Sequence, residues 1–75
     1  MTWIKIHSIH ITESQFSNLD ICDLLQGIAI ALNRNEWIGI IIQNAEIIYE
    51  RSYTTLAGCK KSIDIQLTKR LNGNA

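Results

Sequence analysis

The stretch ICDLLQGIAIALN, residues 21–33, decides the fold, because it can be read at two periods. Ile21, Leu24, Leu25, Ile28, Ala31 and Leu32 recur at the three- and four-residue spacing of one helical face, with Asp20, Asp23, Gly27 and Arg34 on the opposite side. The centre of the stretch, GIAIAL, alternates as a strand would. Length and the flanking spacing favour a helix, which leaves Ile30 near its polar side. Thr12, Ser14 and Ser17 offer N-cap oxygens upstream, Ser17 with Asp20 approximates a capping box, and Asn33 and Asn35 suit the exit. Gly27 and Ala31 either let another backbone come close or are small residues merely tolerated there.

Before this segment, WIKIHSIHIT reads as a strand over residues 2 to 11, yet Ile4 and Ile6 share one parity while Ile9 and Ile11 share the other. A β-bulge near His7-Ser8 returns all four isoleucines to one face, and the same bulge sends His7 and His10 to the other. Two histidines without a third ligand are not a convincing zinc site. Cys22 and Cys59 add none of the paired spacing that such sites show, so no metal or other cofactor is expected.

After it, EWIGIIIQNAEIIYERSY carries two β-rich runs around an Asn44-Ala45 turn or a four-residue loop. Either connection pairs Ile42 with Ile47, and then Ile40 with Tyr49 and Ile38 with Arg51. Thr54 or Thr55 caps a second helix on which Leu56, Cys59, Ile63, Leu67 and Leu71 form the apolar face, with Lys69 and Arg70 in the last turn. The predicted class is therefore α+β, in the order β-α-β-β-α: a three-stranded sheet of order 1-3-2 with two helices on one face. The chain reads as one small domain over residues 1–75, without a linker or repeat.

In this register Ile38, Ile40, Ile42, Ile47 and Tyr49 form the face beneath the helices. Trp37, Gly39, Ile41, Ile48, Glu50 and Ser52 form the open one. Trp37 flanked by Ile41 and Ile48 on an open sheet marks a partner-binding surface, with Glu50 beside it. A chain of 75 residues is short of core, so burial against a second copy or a larger protein is expected.

Composition and charge narrow the function. The 47% apolar content and the absence of proline belong to a folded protein. The longest apolar run, Trp37 to Ile42, is too short to span a bilayer, and no export signal opens the chain, so a cytoplasmic protein with reduced thiols is expected. Residues 1–50 hold Lys5 and Arg34 against Glu13, Asp20, Asp23, Glu36, Glu46 and Glu50, a net −4; residues 51–75 hold Arg51, Lys60, Lys61, Lys69 and Arg70 against Asp64, a net +4. In a neighbouring copy the acidic side of the first helix can meet the basic side of the second, fixing orientation.

No phosphate-cradling loop, nucleophile elbow or metalloprotease helix occurs, and Asp20 with Asp23 is explained by the helix macrodipole, so catalysis is not expected. Arg51, Lys60, Lys61, Lys69 and Arg70 support an alternative in which the C-terminal helix binds nucleic acid. The segment IIYERSYTTLAGCKKSIDIQL has a pattern common in small phage and bacterial α+β domains. By that analogy the chain is a mobile-element adaptor, or an inhibitor masking a larger protein. The leading expectation is a non-enzymatic protein-protein interaction module acting through its open sheet face.

Overall fold

The structure, a computed structural model, describes residues 2–13, 15–16 and 24–71. Six strands precede one helix: β1 (Trp3–Ile6), β2 (Ile9–Thr12), β3 (Gln15–Phe16), β4 (Leu24–Asn33), β5 (Glu36–Gln43), β6 (Glu46–Tyr53) and α1 (Leu56–Leu71). They form one antiparallel sheet, five strands wide in the order β1-β2-β4-β5-β6, with β3 following β2 along the same side of β4. This overturns the expected β-α-β-β-α chain with its three-stranded 1-3-2 sheet and two helices on one face. The class, α+β, the hairpin around Asn44-Ala45 and the C-terminal helix survive.

The difference lies in the GIAIAL segment. Residues 24–33 are a strand, and the expected helix start at Ser17 and Asp20 lies outside the described residues. Gly27 and the β-branched Ile28 and Ile30 are poor helix residues, and alternation sends the isoleucines to one face and Leu25, Gly27 and Ala29 to the other. A helix would waste that separation. With ten residues, β4 pairs on both sides and becomes the centre of the sheet.

The parity slip near the N-terminus has a simpler cause than a bulge. His7 and Ser8 form a two-residue turn, with His7 at φ 56°, and the chain doubles back so that Ile6 pairs with Ile9 and Ile4 with Ile11. The four isoleucines do share one face. The second hairpin turns at Asn44-Ala45, both with positive φ (51° and 69°), and pairs Ile42 with Ile47 as expected. Beyond that pair the register shifts: a bulge at Ile48 sets Tyr49 opposite Ile41 and Arg51 opposite Gly39, instead of opposite Ile40 and Ile38. One extra residue thus moves Tyr49, Arg51 and Tyr53 to the face of Gly39.

Helix α1 lies on that face, and two glycines explain why. A Cβ on Gly27 would sit 2.6 Å from Ile63 Cγ2, and one on Gly39 would sit 3.0 Å from Cys59 Sγ and from Ile63 Cδ1. The helix seats directly on bare backbone. Cys59, Ile63 and Leu67 are its buried residues, packing with Leu25, Ala29 and Ile41 into a small core. Thr55 caps the helix by accepting from Gly58 N (3.0 Å). Thr12 closes the ladder where β2 gives way to β3: its buried hydroxyl accepts from Gly27 N (2.8 Å), and its carbonyl accepts from Gln26 Nε2 (3.0 Å).

A helix about 10 Å across cannot cover five strands spanning roughly 19 Å, so aromatic side chains fill both flanks. On the β1 side Trp3 donates its Nε1–H to Asp64 Oδ1 at 2.9 Å. On the β6 side Tyr49 and Tyr53 reach Ser62 of the helix.

Candidate interaction surface

The sheet face away from α1 is almost entirely isoleucine. Register places Ile4, Ile11, Ile28 and Ile40 side by side in one row across the sheet, ending at Glu50 on β6. Ile6, Ile9, Ile30 and Ile38 form a second row, ending at Ser52, and Gln26, Ile42 and Ile47 form a third. Such rows arise because antiparallel pairs put like parities on like faces. No described helix or strand covers them. Ile4, Ile6, Ile9 and Ile47 are 38–59% exposed, and Leu24 and Leu32 extend the patch at the two ends of β4.

On β5 the faces are therefore the reverse of the expected ones, while on β6 the bulge leaves Tyr49 beneath the helix and Glu50 and Ser52 on the open face, as expected. Of the four residues expected at a partner surface, Ile41 is fully buried beneath α1, Ile48 packs against the helix-side core, and Trp37 is half-buried on that same face, edge-on to His10 at 5.8 Å. Glu50 is exposed at the rim of the isoleucine face. The four do not share a surface. The expectation counted large apolar groups and gave the larger set to the core, whereas the helix chose the face with glycines at its centre.

The basic residues are also dispersed. Lys60 Nζ lies 5.7 Å from the Trp3 ring, on the β1 flank. Arg51 and Arg70 lie at 5.9 and 5.8 Å from the Tyr49 ring, on the β6 flank, and Lys61 and Lys69 are exposed. His7 stands in its turn while His10 faces the helix side, and no cluster of three or more metal-ligating side chains exists among the described residues. Asp20, Asp23 and Cys22 lie outside them. Cys59 is buried, which raises its thiol pKa and keeps it protonated.

One polar group was not foreseen. Tyr53 Oη lies 2.7 Å from Tyr49 Oη and 2.6 Å from Ser62 Oγ, with 3.5 Å between Tyr49 Oη and Ser62 Oγ. Burial raises both phenols, but at Tyr49 the bonds from Ser62 and Tyr53 and the charges of Arg51 and Arg70 outweigh it, so its pKa falls below the usual value while that of Tyr53 rises. Only the bulge at Ile48 brings these groups onto one face, so spacing alone could not show them. A shallow depression of about 600 Å³ beside Tyr53 is lined by Asn33, Asn35, Glu36, Ser52 and Thr54.

No family model matches the chain, and no curated protein or solved structure matches it either. No described helix is long and apolar enough to cross a membrane.

Proposed function

We propose that this protein is a non-enzymatic interaction module that pairs with a second copy of itself by burying the isoleucine face. The observation that carries the reading is the three-row apolar surface opposite α1. Ten isoleucines lie contiguously on it, Ile4, Ile6, Ile9 and Ile47 among them 38–59% exposed, and a contiguous apolar patch of this kind marks an interaction surface rather than the scattered apolar residues of an ordinary monomer.

The chemistry of the face favours a copy of this chain. Across a two-fold axis a surface must complement itself, and rows of β-branched side chains do so because they bring no like charges together. Glu50 and Ser52, at the β6 ends of their rows, suit a rim, while Gln26, on the central strand, has its amide nitrogen committed to the Thr12 carbonyl. Two such sheets would stack about 10 Å apart at roughly −30°, as sandwich sheets do. The expected docking of an acidic first helix on a basic second one is withdrawn, since residues 24–33 are strand.

Sedimentation equilibrium over a concentration series tests the reading. The chain should sediment as a dimer, and Ile28→Lys, in the central strand, should sediment as a monomer with its circular dichroism retained. A native chain that is monomeric at every concentration, or a dimer indifferent to Ile28→Lys, would overturn it.

A further inference from the structure

We propose that the β6 flank is a binding site for a phosphate monoester, built by Arg51, Arg70 and the hydroxyls of Tyr49, Tyr53 and Ser62. Two guanidinium groups stand beside one ring, at 5.9 and 5.8 Å from the Tyr49 centroid. No carboxylate among the described residues bonds either one. Arg70 gives one nitrogen to Gln66, to its side-chain oxygen at 2.9 Å and its carbonyl at 3.3 Å, and the rest of its fork is uncommitted. Two positive charges without an ion-pair partner among the described residues thus stand beside a chain of three hydroxyls.

Arginine forks match the paired oxygens of a phosphate group, and a dianion answers both forks where a carboxylate would answer one. The hydroxyl chain supplies a further donor. Ser62 can donate to Tyr53 and Tyr53 to Tyr49, which leaves the Tyr49 proton free for a ligand oxygen. The organic part of the ester has a place beside Tyr53, in the depression lined by Asn33, Asn35 and Glu36. Asn33 Oδ1 accepts from Asn35 N (3.0 Å) and Glu36 Oε1 from Asn33 Nδ2 (3.2 Å), and the remaining lone pairs of these carbonyl and carboxylate oxygens can accept from sugar hydroxyls.

The arginines and hydroxyls lie on the helix side of the sheet, so a dimer formed through the isoleucine face leaves them open, and the depression beside Tyr53 meets that face only at Ser52, on its rim. It also accounts for a bulge that otherwise only costs a ladder bond: without the extra residue at Ile48, Tyr49 and Arg51 would stand on the other face.

The test is a chemical-shift titration of the full chain at low salt with inorganic phosphate, a sugar phosphate, a nucleoside monophosphate and acetate. The three phosphates should shift the amides of β6 and of residues 62–70, and acetate should not; the tighter of the two esters identifies the organic part. Arg51→Gln and Arg70→Gln should each weaken phosphate about tenfold or more. Tyr49→Phe, which keeps the ring, should weaken it severalfold, and Lys61→Gln should change nothing. Affinity should fall as pH drops below about 6, where the dianion takes up a proton. Phosphate that shifts nothing, shifts that survive both arginine substitutions, or equal response to acetate would each overturn the proposal. Binding retained by Ile28→Lys would show it to be independent of the dimer; binding lost there while that variant stays folded would place it in the wrong part of the molecule.

Discussion

Replacing Gly27 by alanine adds one methyl group under the helix, and the geometry fixes what it meets. The new Cβ would lie 2.6 Å from Ile63 Cγ2, 3.0 Å from Leu67 Cδ1 and 3.4 Å from Thr12 Cγ2, where carbon atoms pack at about 3.5–4.0 Å. Ile63 and Leu67 are fully buried, and Cγ2 branches at the first side-chain carbon, so neither can swing away. The helix must lift by about 1 Å, and overpacking of this kind costs roughly 1–3 kcal/mol. Against that, alanine in a strand is favoured over glycine by about 0.5–1 kcal/mol. A 2.6 Å contact with a branched, buried carbon belongs at the upper end of that range, about 2–3 kcal/mol, so the net is a loss of about 1–2.5 kcal/mol, which lowers Tm by roughly 4–20 °C for a chain of this size. Thermal unfolding by far-UV circular dichroism measures it, at one fixed protein concentration because association would add to Tm. Adding Ile63→Leu, which moves the branch away from the new methyl, should recover part of the loss as a coupling between the two sites. An unchanged or higher Tm for Gly27→Ala would mean that α1 does not rest on this face, and the two faces of the sheet would have to be exchanged.

Ala45→Gly should have the opposite sign: Ala45 holds φ at 69°, where a side chain costs about 1–2 kcal/mol, and after the added freedom of glycine in the unfolded chain the gain is roughly 0.5–1 kcal/mol. The same melting assay reads it, and a fall in Tm would contradict the hairpin geometry. His10 provides a pH dependence, because burial first, then the nearby Lys60 and Lys5, push its pKa below the ordinary 6.5. The unfolded chain then binds the proton more readily, so stability should decline as pH is taken down through about 6.5, and His10→Gln should flatten the Tm profile between pH 7.5 and 5.5.

The turn at Asn44-Ala45 and the C-terminal helix were written plainly in the sequence. Thr55 caps, Cys59, Ile63 and Leu67 bury, and Ile42 meets Ile47 across the Asn44-Ala45 turn, all as spacing and turn chemistry imply. The N-terminal half misled, because two signals were read singly when they belonged together. The parity change after His7 is what a two-residue hairpin leaves in a sequence, and the alternation of GIAIAL is the third strand that such a hairpin needs as a neighbour. Taken together, they predict a meander. The bulge at Ile48 has no such signature: nothing in IIYERSY distinguishes the residue that will be left unpaired, and both faces carry groups that fit either environment. The bulge is what separates Glu50, on the open face, from Trp37 and Ile41; that Trp37 and Ile41 themselves lie on the helix side has another cause. Glycine adds nothing to a count of hydrophobic groups, yet Gly27 and Gly39 are what admit the helix.

Why the isoleucine face should be covered by a copy rather than left wet follows from what the chain has already used. The one helix among the described elements is seated, with Trp3 and the Tyr49-Tyr53 pair closing its flanks, so no second layer remains there for the other side. Edge pairing through β1 or β6 would widen the sheet and lengthen the apolar rows without hiding them. Stacking is the arrangement that removes them from water, and it suits their chemistry: β-branched side chains on a pleated surface interlock with their like, and each row presents the same residue type in successive strands. The helix-side core holds four isoleucines and leucines, Leu25, Ile41, Ile63 and Leu67, against ten isoleucines on the opposite face, so the proposed pairing would bury more large apolar side chains than the helix does. Folding and pairing should then be linked, with Tm rising as protein concentration rises.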